Sequence, residues 1–127
     1  MIVVDASAMV GALVGQDSAV GERLAREDVL HAPELLVLEV ASALRRLAST
    51  HALSERGAVT ALRKLADLPL FLHPHLPLVA RTWELRANIT PYDASYVAVA
   101  EALGLILVTS DMRLSTAPGV ACTIEVV

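Results

Sequence analysis

From Thr90 to Asp111 the chain reads TPYDASYVAVAEALGLILVTSD, and no other stretch restricts the fold as much. Thr90 suits a helix N-cap, Pro91 the first helical position and Asp93 the first turn, where negative charge is favoured. The run 94–103 is mostly apolar, and Gly104 supplies the usual left-handed helix stop. Residues 105–109 (LILVT) then form a short, uncharged, β-rich run that ends at Ser110 and Asp111. Helix, glycine, buried strand and acid make half of a parallel α/β unit. Its polar group lies at the strand's carboxyl end, where such sheets bind ligands.

The remainder repeats that grammar. Residues 1–5 (MIVVD) predict a buried strand, 6–14 a helix stopped by Gly15, and 18–26 a second helix with Glu22, Arg23 and Arg26 on its wet side. A short strand over 29–32 is expected to stop at Pro33, which would open a long helix reaching about Thr50. Ser54 starts another helix ending before Pro69. Residues 70–73 predict a strand, 76–88 a helix, and 123–127 an edge strand after a helical turn following Asp111. Strands without period-2 polarity, alternating with helices, predict one α/β domain over 1–127. Its parallel sheet of about four to five strands would be flanked by helices on both faces.

Composition narrows the function. The longest stretch free of Asp, Glu, Lys and Arg is 68–80, only thirteen residues with three prolines, so no membrane span is expected. The N-terminal MIVVDASAMVGALVG lacks a basic start and carries Asp5, which suits a first strand better than a signal peptide. Cys122 is the one cysteine; it excludes an intrachain disulfide and fits a reducing, cytoplasmic setting. Net charge is −4, from fourteen acids and ten bases. Four carboxylates gathered around a metal would leave the rest neutral, and nine of the ten bases are arginine, which is well shaped for phosphate. A mean hydropathy of +0.58 is high for a small domain, and fits a sheet buried on both faces, a partner over some apolar surface, or both.

Each acid has an ordinary reading when taken alone. Asp5 after a strand is a helix N-cap, Asp93 completes a variant capping box with Thr90, and Asp111 is a turn or cap residue. Glu22, Glu27, Asp28, Glu55 and Asp67 read as solvated helix faces. Glu39 is different: it sits in LLVLEVASAL, with Leu35, Leu36, Val40 and Ala43 around it and no base three or four positions away. A carboxylate buried there needs a partner or a metal. In a parallel sheet the carboxyl ends share one edge, which would bring Asp5 and Asp111 together with the start of the Asp93 helix. Carboxylates collected there repel one another, and a hard cation such as Mg²⁺ or Mn²⁺ relieves that. His73-x-His75 is too isolated to form a zinc site.

These segments resemble the PIN-domain family, and within it the VapC-type toxins of VapBC toxin–antitoxin pairs. The likeness rests on MIVVDASAMVGAL, LLVLEVASALRR, TPYDASYVAVAEALG and LILVTSDMRL, in that order. Residues 54–86 match in layout only. The resemblance implies a divalent-metal-dependent endoribonuclease acting on tRNA or rRNA and leaving 5′-phosphate and 3′-hydroxyl ends. A VapB-like antitoxin would restrain it, within a homodimer or a toxin–antitoxin hetero-oligomer. Asp5, Glu39, Asp93 and Asp111 then become catalytic metal ligands, with Mg²⁺ or Mn²⁺ as cofactor. Ser7, Thr109 and Ser110 orient ligands or water, and Arg86, Arg113 and Tyr92 meet RNA. For Tyr92 and Tyr96, packing within the helix is the competing reading.

Two other acid-bearing folds fit poorly. A response-regulator receiver needs paired acids at the first strand and a late lysine, whereas Lys64 is the only lysine and lies mid-chain. A haloacid-dehalogenase-type phosphatase needs D-x-D where this chain has Asp5-Ala6-Ser7. The remaining alternative is a PIN-fold binding or regulatory protein with little turnover, using the helices between Pro33 and Leu68 as a partner groove.

Overall fold

The computed structural model describes residues 1–15 and 18–127. Five parallel strands form one sheet: β1 (Ile2–Val4), β2 (Leu30–Pro33), β3 (Leu70–His73), β4 (Leu107–Thr109) and β5 (Ile124–Val126). Their order is β3-β2-β1-β4-β5. The chain builds outward from β1 to β3 on one side, then returns to place β4 on the other. The switch point therefore falls between β1 and β4, where open parallel sheets leave a crevice at their carboxyl ends.

Seven described α-helices accompany the sheet: α1 (Ala6–Val14), α2 (Ser18–Ala25), α3 (Leu35–Ser49), α4 (Glu55–Asp67), α5 (Val79–Glu84), α6 (Pro91–Leu103) and α7 (Met112–Ser115). Helix α1 packs against α2, α3 and α4, while α5 packs on α6, which lies against β1, β2 and β4. Helices thus cover both faces. Val3, Val4, Leu107 and Val108 of the central strands are buried completely, as are Val97 and Ala100 of α6 (within 0 % exposure). This accounts for strands that lack alternation: a sheet covered on both sides has no wet face to mark with polar residues.

Local signals set most boundaries. Ser54 caps α4 by accepting from the Gly57 N–H, and Thr90 caps α6 by accepting from the Asp93 N–H. At the end of α6, Gly104 (φ 65°) donates to the Glu101 carbonyl and Leu105 to that of Ala100, a Schellman pair. That closure uses residues 104–105, so β4 starts at Leu107 rather than 105. Pro33 closes β2 opposite His73 instead of opening α3, because the Glu34 N–H goes on to bond the His73 carbonyl. The helix expected over 76–88 is a 3₁₀ turn (Leu76–Leu78) followed by the short α5, after which three-residue closures such as Asn88 to Leu85 replace helical bonds.

Two charged groups read as wet are structural. Arg23 pairs with Glu125 of β5 at 2.8 Å and with Glu27 at 2.6 Å, fastening α2 to the C-terminal strand. Glu27, only 14 % exposed in its side chain, also receives the N-terminal ammonium. Three of the histidines take part in hydrogen bonds between elements. His73 Nε2 lies 3.0 Å from His31 Nδ1, and His75 Nε2 accepts the Leu35 N–H at the start of α3.

Candidate metal and nuclease site

Asp5 follows β1 and caps α1, and it is 7 % exposed. Its Oδ1 accepts from the Ala8 N–H at 2.9 Å and the Ser7 hydroxyl at 2.7 Å, and its Oδ2 accepts from the Thr109 hydroxyl. Burial pushes its carboxyl above the ordinary aspartate range, with a further push from Asp111, although these hydrogen bonds pull the other way. Thr109 is wholly buried at the end of β4, and its Oγ1 also accepts the Asp111 N–H at 2.9 Å. Ser7 Oγ accepts the Ser110 N–H at 3.0 Å. Ser7 and Thr109 therefore stitch the β1–α1 junction to the loop after β4. Ser110 takes part through its backbone; its side chain forms no hydrogen bond among the described residues.

Glu39, in the second turn of α3, is half-buried. Its carboxyl is raised by burial and then by repulsion from Asp93 and Asp5. Tyr96 of α6, 1 % exposed, donates its hydroxyl to Glu39 Oε1 at 2.7 Å. Burial and the adjacent carboxylate hold that phenol far above its usual range, so it stays a donor. Asp93 is half-buried and raised by burial, then by Asp5 and Asp111, with Arg113 opposing. Asp111 is lowered, because Arg113 donates to it from both backbone and side chain, at 3.0 and 2.8 Å.

The four acids thus converge on the switch-point edge and sense one another electrostatically. Three are pushed toward protonation, and the guanidinium of Arg113, 90 % exposed in its side chain, offsets part of that push on Asp93. The donors are carboxylate and hydroxyl oxygens, a set suited to a hard divalent cation rather than to zinc or copper. Among the described residues, no three metal-ligating side chains stand ready-made around one point. The oxygens of Asp5 accept three hydrogen bonds, and both oxygens of Asp111 face Arg113. In donor chemistry the residues fit such an ion.

Two grooves meet the acids. One, of about 670 Å³, is lined by Arg86, Asn88, Asp93, Asp111 and Arg113. The other, of about 360 Å³, is lined by Ser7, Glu39, Ser42 and Arg46. Arg86 also stacks over Trp83, 4.4 Å from the ring centre. Tyr92 is 65 % exposed on α6, so the packing reading fails for it, and it lines neither groove. For Tyr96 packing holds, yet its hydroxyl has a polar task that sequence reasoning missed. Ser42 and Arg46 were missed too, although the spacings i+3 and i+7 from Glu39 put them on its side of α3. The Tyr96–Glu39 bond has no such local signal, since it joins helices 57 positions apart.

The family model described as "PIN domain" matches residues 2–120. Ribonuclease VapC9 of Mycobacterium tuberculosis is 46 % identical over 127 residues, spanning 100 % of this chain and 98 % of that protein. PAE2754 from Pyrobaculum aerophilum superposes with a TM-score of 0.70 at 31 % identity, covering 90 % of this chain and 83 % of that one. VapBC2 from Rickettsia felis, solved bound to a DNA fragment from its promoter, gives 0.72 over 98 % of each chain, a likeness of fold alone at 16 % identity.

Proposed function

The chain belongs to the PIN-domain family, and on that premise we propose that it is the ribonuclease toxin of a VapBC-type pair, acting as one PIN-like domain over residues 1–127. The observation that carries this reading is the convergence of Asp5, Glu39 and Asp93. Their carboxyls are raised by burial and then by neighbouring carboxylates, Asp5 by Asp111, Glu39 by Asp93 and Asp5, and Asp93 by Asp5 and Asp111, beside the crevice between β1 and β4. Full-length identity to a ribonuclease weighs against a purely binding or regulatory role.

Asp5, Glu39, Asp93 and Asp111 are the side chains to hold Mg²⁺ or Mn²⁺. Bound there, such an ion lowers the pKa of water and stabilises charge on the phosphodiester oxygens. Ser7 and Thr109 keep Asp5 fixed, and the Ser110 backbone closes the same network. Asp93 or Glu39 accepts the proton of the attacking water, a task to which raised carboxyls are suited. Water oxygen bonds to phosphorus, the bond to the 3′ oxygen breaks, and that oxygen takes a proton from solvent to leave as a hydroxyl. Arg86 and Arg113 line one groove and Arg46 the other, available to neutralise backbone phosphates. Exposed Tyr92 is available to stack on a base.

The substrate proposed is structured RNA such as tRNA or rRNA, and the restraining partner a VapB-like antitoxin. Val37 and Leu38 of α3, with Val59 and Leu62 of α4, leave apolar surface exposed for it, Leu38 at 74 %. Assembly as a homodimer or toxin–antitoxin hetero-oligomer, in the cytoplasm, belongs to the same reading. No described helix is long and apolar enough to cross a membrane. The deciding experiment incubates antitoxin-free protein with RNA in Mg²⁺, Mn²⁺ or EDTA. Cleavage is expected with either ion and none in EDTA; undiminished cleavage in EDTA refutes the metal assignment.

A further inference from the structure

Helix α3 does nothing by itself to aim Glu39. Its neighbours Val37 and Leu38 are exposed, and the apolar residues around Glu39 offer it no hydrogen bond. Among the described residues, one hydrogen bond reaches its carboxylate, from the Tyr96 hydroxyl at 2.7 Å. Tyr96 is immobilised in turn. It lies in the run of α6 from Ala94 to Ala100 in which every residue is buried, one turn beyond Asp93 on the same helix. A phenylalanine would fill that volume equally well, so packing alone does not account for the phenol oxygen.

We infer that Tyr96 is a positioning residue for the metal site: it holds Glu39 Oε1 so that the other carboxylate oxygen is presented to the ion shared with Asp5 and Asp93. The assignment rests on the metal-dependent reading above and adds a supporting group to it. The geometry has a clear purpose. Asp93 and Tyr96 are three positions apart, so one rigid helix sets both a ligand and the support of a second ligand carried on α3. Small movements of α3 against α6 are then opposed by a bond at the site itself. A tyrosine hydroxyl suits this task because it donates to the carboxylate without adding a competing charge.

The test uses the full chain and Mn²⁺ alone, with binding followed by electron paramagnetic resonance titration in wild type, Tyr96→Phe, Glu39→Ala, the double variant and Asp93→Asn. Tyr96→Phe is expected to weaken Mn²⁺ binding about tenfold, as loss of a supporting hydrogen bond typically does. It should have little further effect in the Glu39→Ala background. Cleavage by Tyr96→Phe should fall at low Mn²⁺ and recover as Mn²⁺ is raised, which a packing defect would not do. Wild-type affinity in Tyr96→Phe, alongside loss in Asp93→Asn, overturns the Tyr96 assignment and leaves the metal site standing. Unchanged affinity in Asp93→Asn as well overturns the metal reading and this assignment together. If Tyr96→Phe does not fold, Glu39→Asp keeps the charge but draws it back from the phenol by one methylene. It too should lose affinity, and wild-type binding there overturns the proposal.

Discussion

The hydroxyl of Thr109 donates to Oδ2 of Asp5, joining the ends of two adjacent parallel strands whose residues lie 104 positions apart in the chain. The same Thr109 oxygen accepts the Asp111 N–H, so one buried side chain sets the spacing between two of the site's acids. Thr109→Val keeps the shape and removes both interactions. It is expected to destabilise the fold by about 1–3 kcal/mol, the usual cost of leaving buried polar groups short of a partner. Thr109→Ser, which keeps the hydroxyl, should recover most of the loss. Urea unfolding of the two variants checks this, and equal stability of valine and wild type would refute it.

Asp5→Ala and Asp93→Ala should each abolish metal-dependent RNA cleavage while preserving the far-ultraviolet circular dichroism spectrum. Single-turnover cleavage of a labelled RNA is the measurement. Wild-type rates in either variant would remove that residue from the site.

The pH dependence has a definite sign. Asp93 loses its proton near 3.8 when unfolded, and its folded value is raised by burial and by Asp5 and Asp111. The stability it contributes is therefore full below 3.8 and is lost as pH rises through the folded value. In EDTA, Asp93→Asn should melt higher than wild type at neutral pH, and the difference should vanish toward acid. Thermal melts across that range decide it; a variant that melts lower at neutral pH contradicts the repulsion described here.

Adding Mg²⁺ or Mn²⁺ at neutral pH should raise the melting temperature of wild type. The stabilisation at one hundred times the dissociation constant is about 2.7 kcal/mol. Asp93→Asn should lose most of this gain. An equal shift in both proteins would mean that the ion binds elsewhere.

Arg46 and Arg86 line two different grooves that each include at least one of the acids, and each is expected to contact an RNA phosphate. In a cleavage-dead Asp93→Ala background, replacing either by alanine should weaken RNA binding. Each should also flatten the dependence of log affinity on log salt by about 0.7, one single-strand contact. Fluorescence anisotropy between low and moderate salt reads the slope, and an unchanged slope removes that arginine from the RNA path.

Much of this molecule is legible one segment at a time. Thr90, Pro91 and Gly104 bound α6 as their chemistry requires, Gly15 and Ser54 do the same for α1 and α4, and β3 occupies the residues its composition indicates. Such features depend on contacts within a few residues, and so they are written in spacing. The strand-end positions of Asp5 and Asp111 are legible for the same reason. Errors cluster where a distant partner outweighs local preference. Pro33 remains in β2 because His73 pairs with it, and Arg23 leaves the wet side of α2 for Glu125.

By itself, then, the sequence determined an alternating α/β chain with acids at strand ends and one glutamate out of place in an apolar helix. Only the tertiary structure decided that β1 and β4 are neighbours, that Thr109 clamps Asp5, that Ser7 meets the loop after β4, and that Tyr96 meets Glu39. Helix periods and caps arise from the chain's own neighbours. The pairing and protonation of a buried carboxylate arise from burial and from charges brought near by the order of strands, which local spacing does not encode.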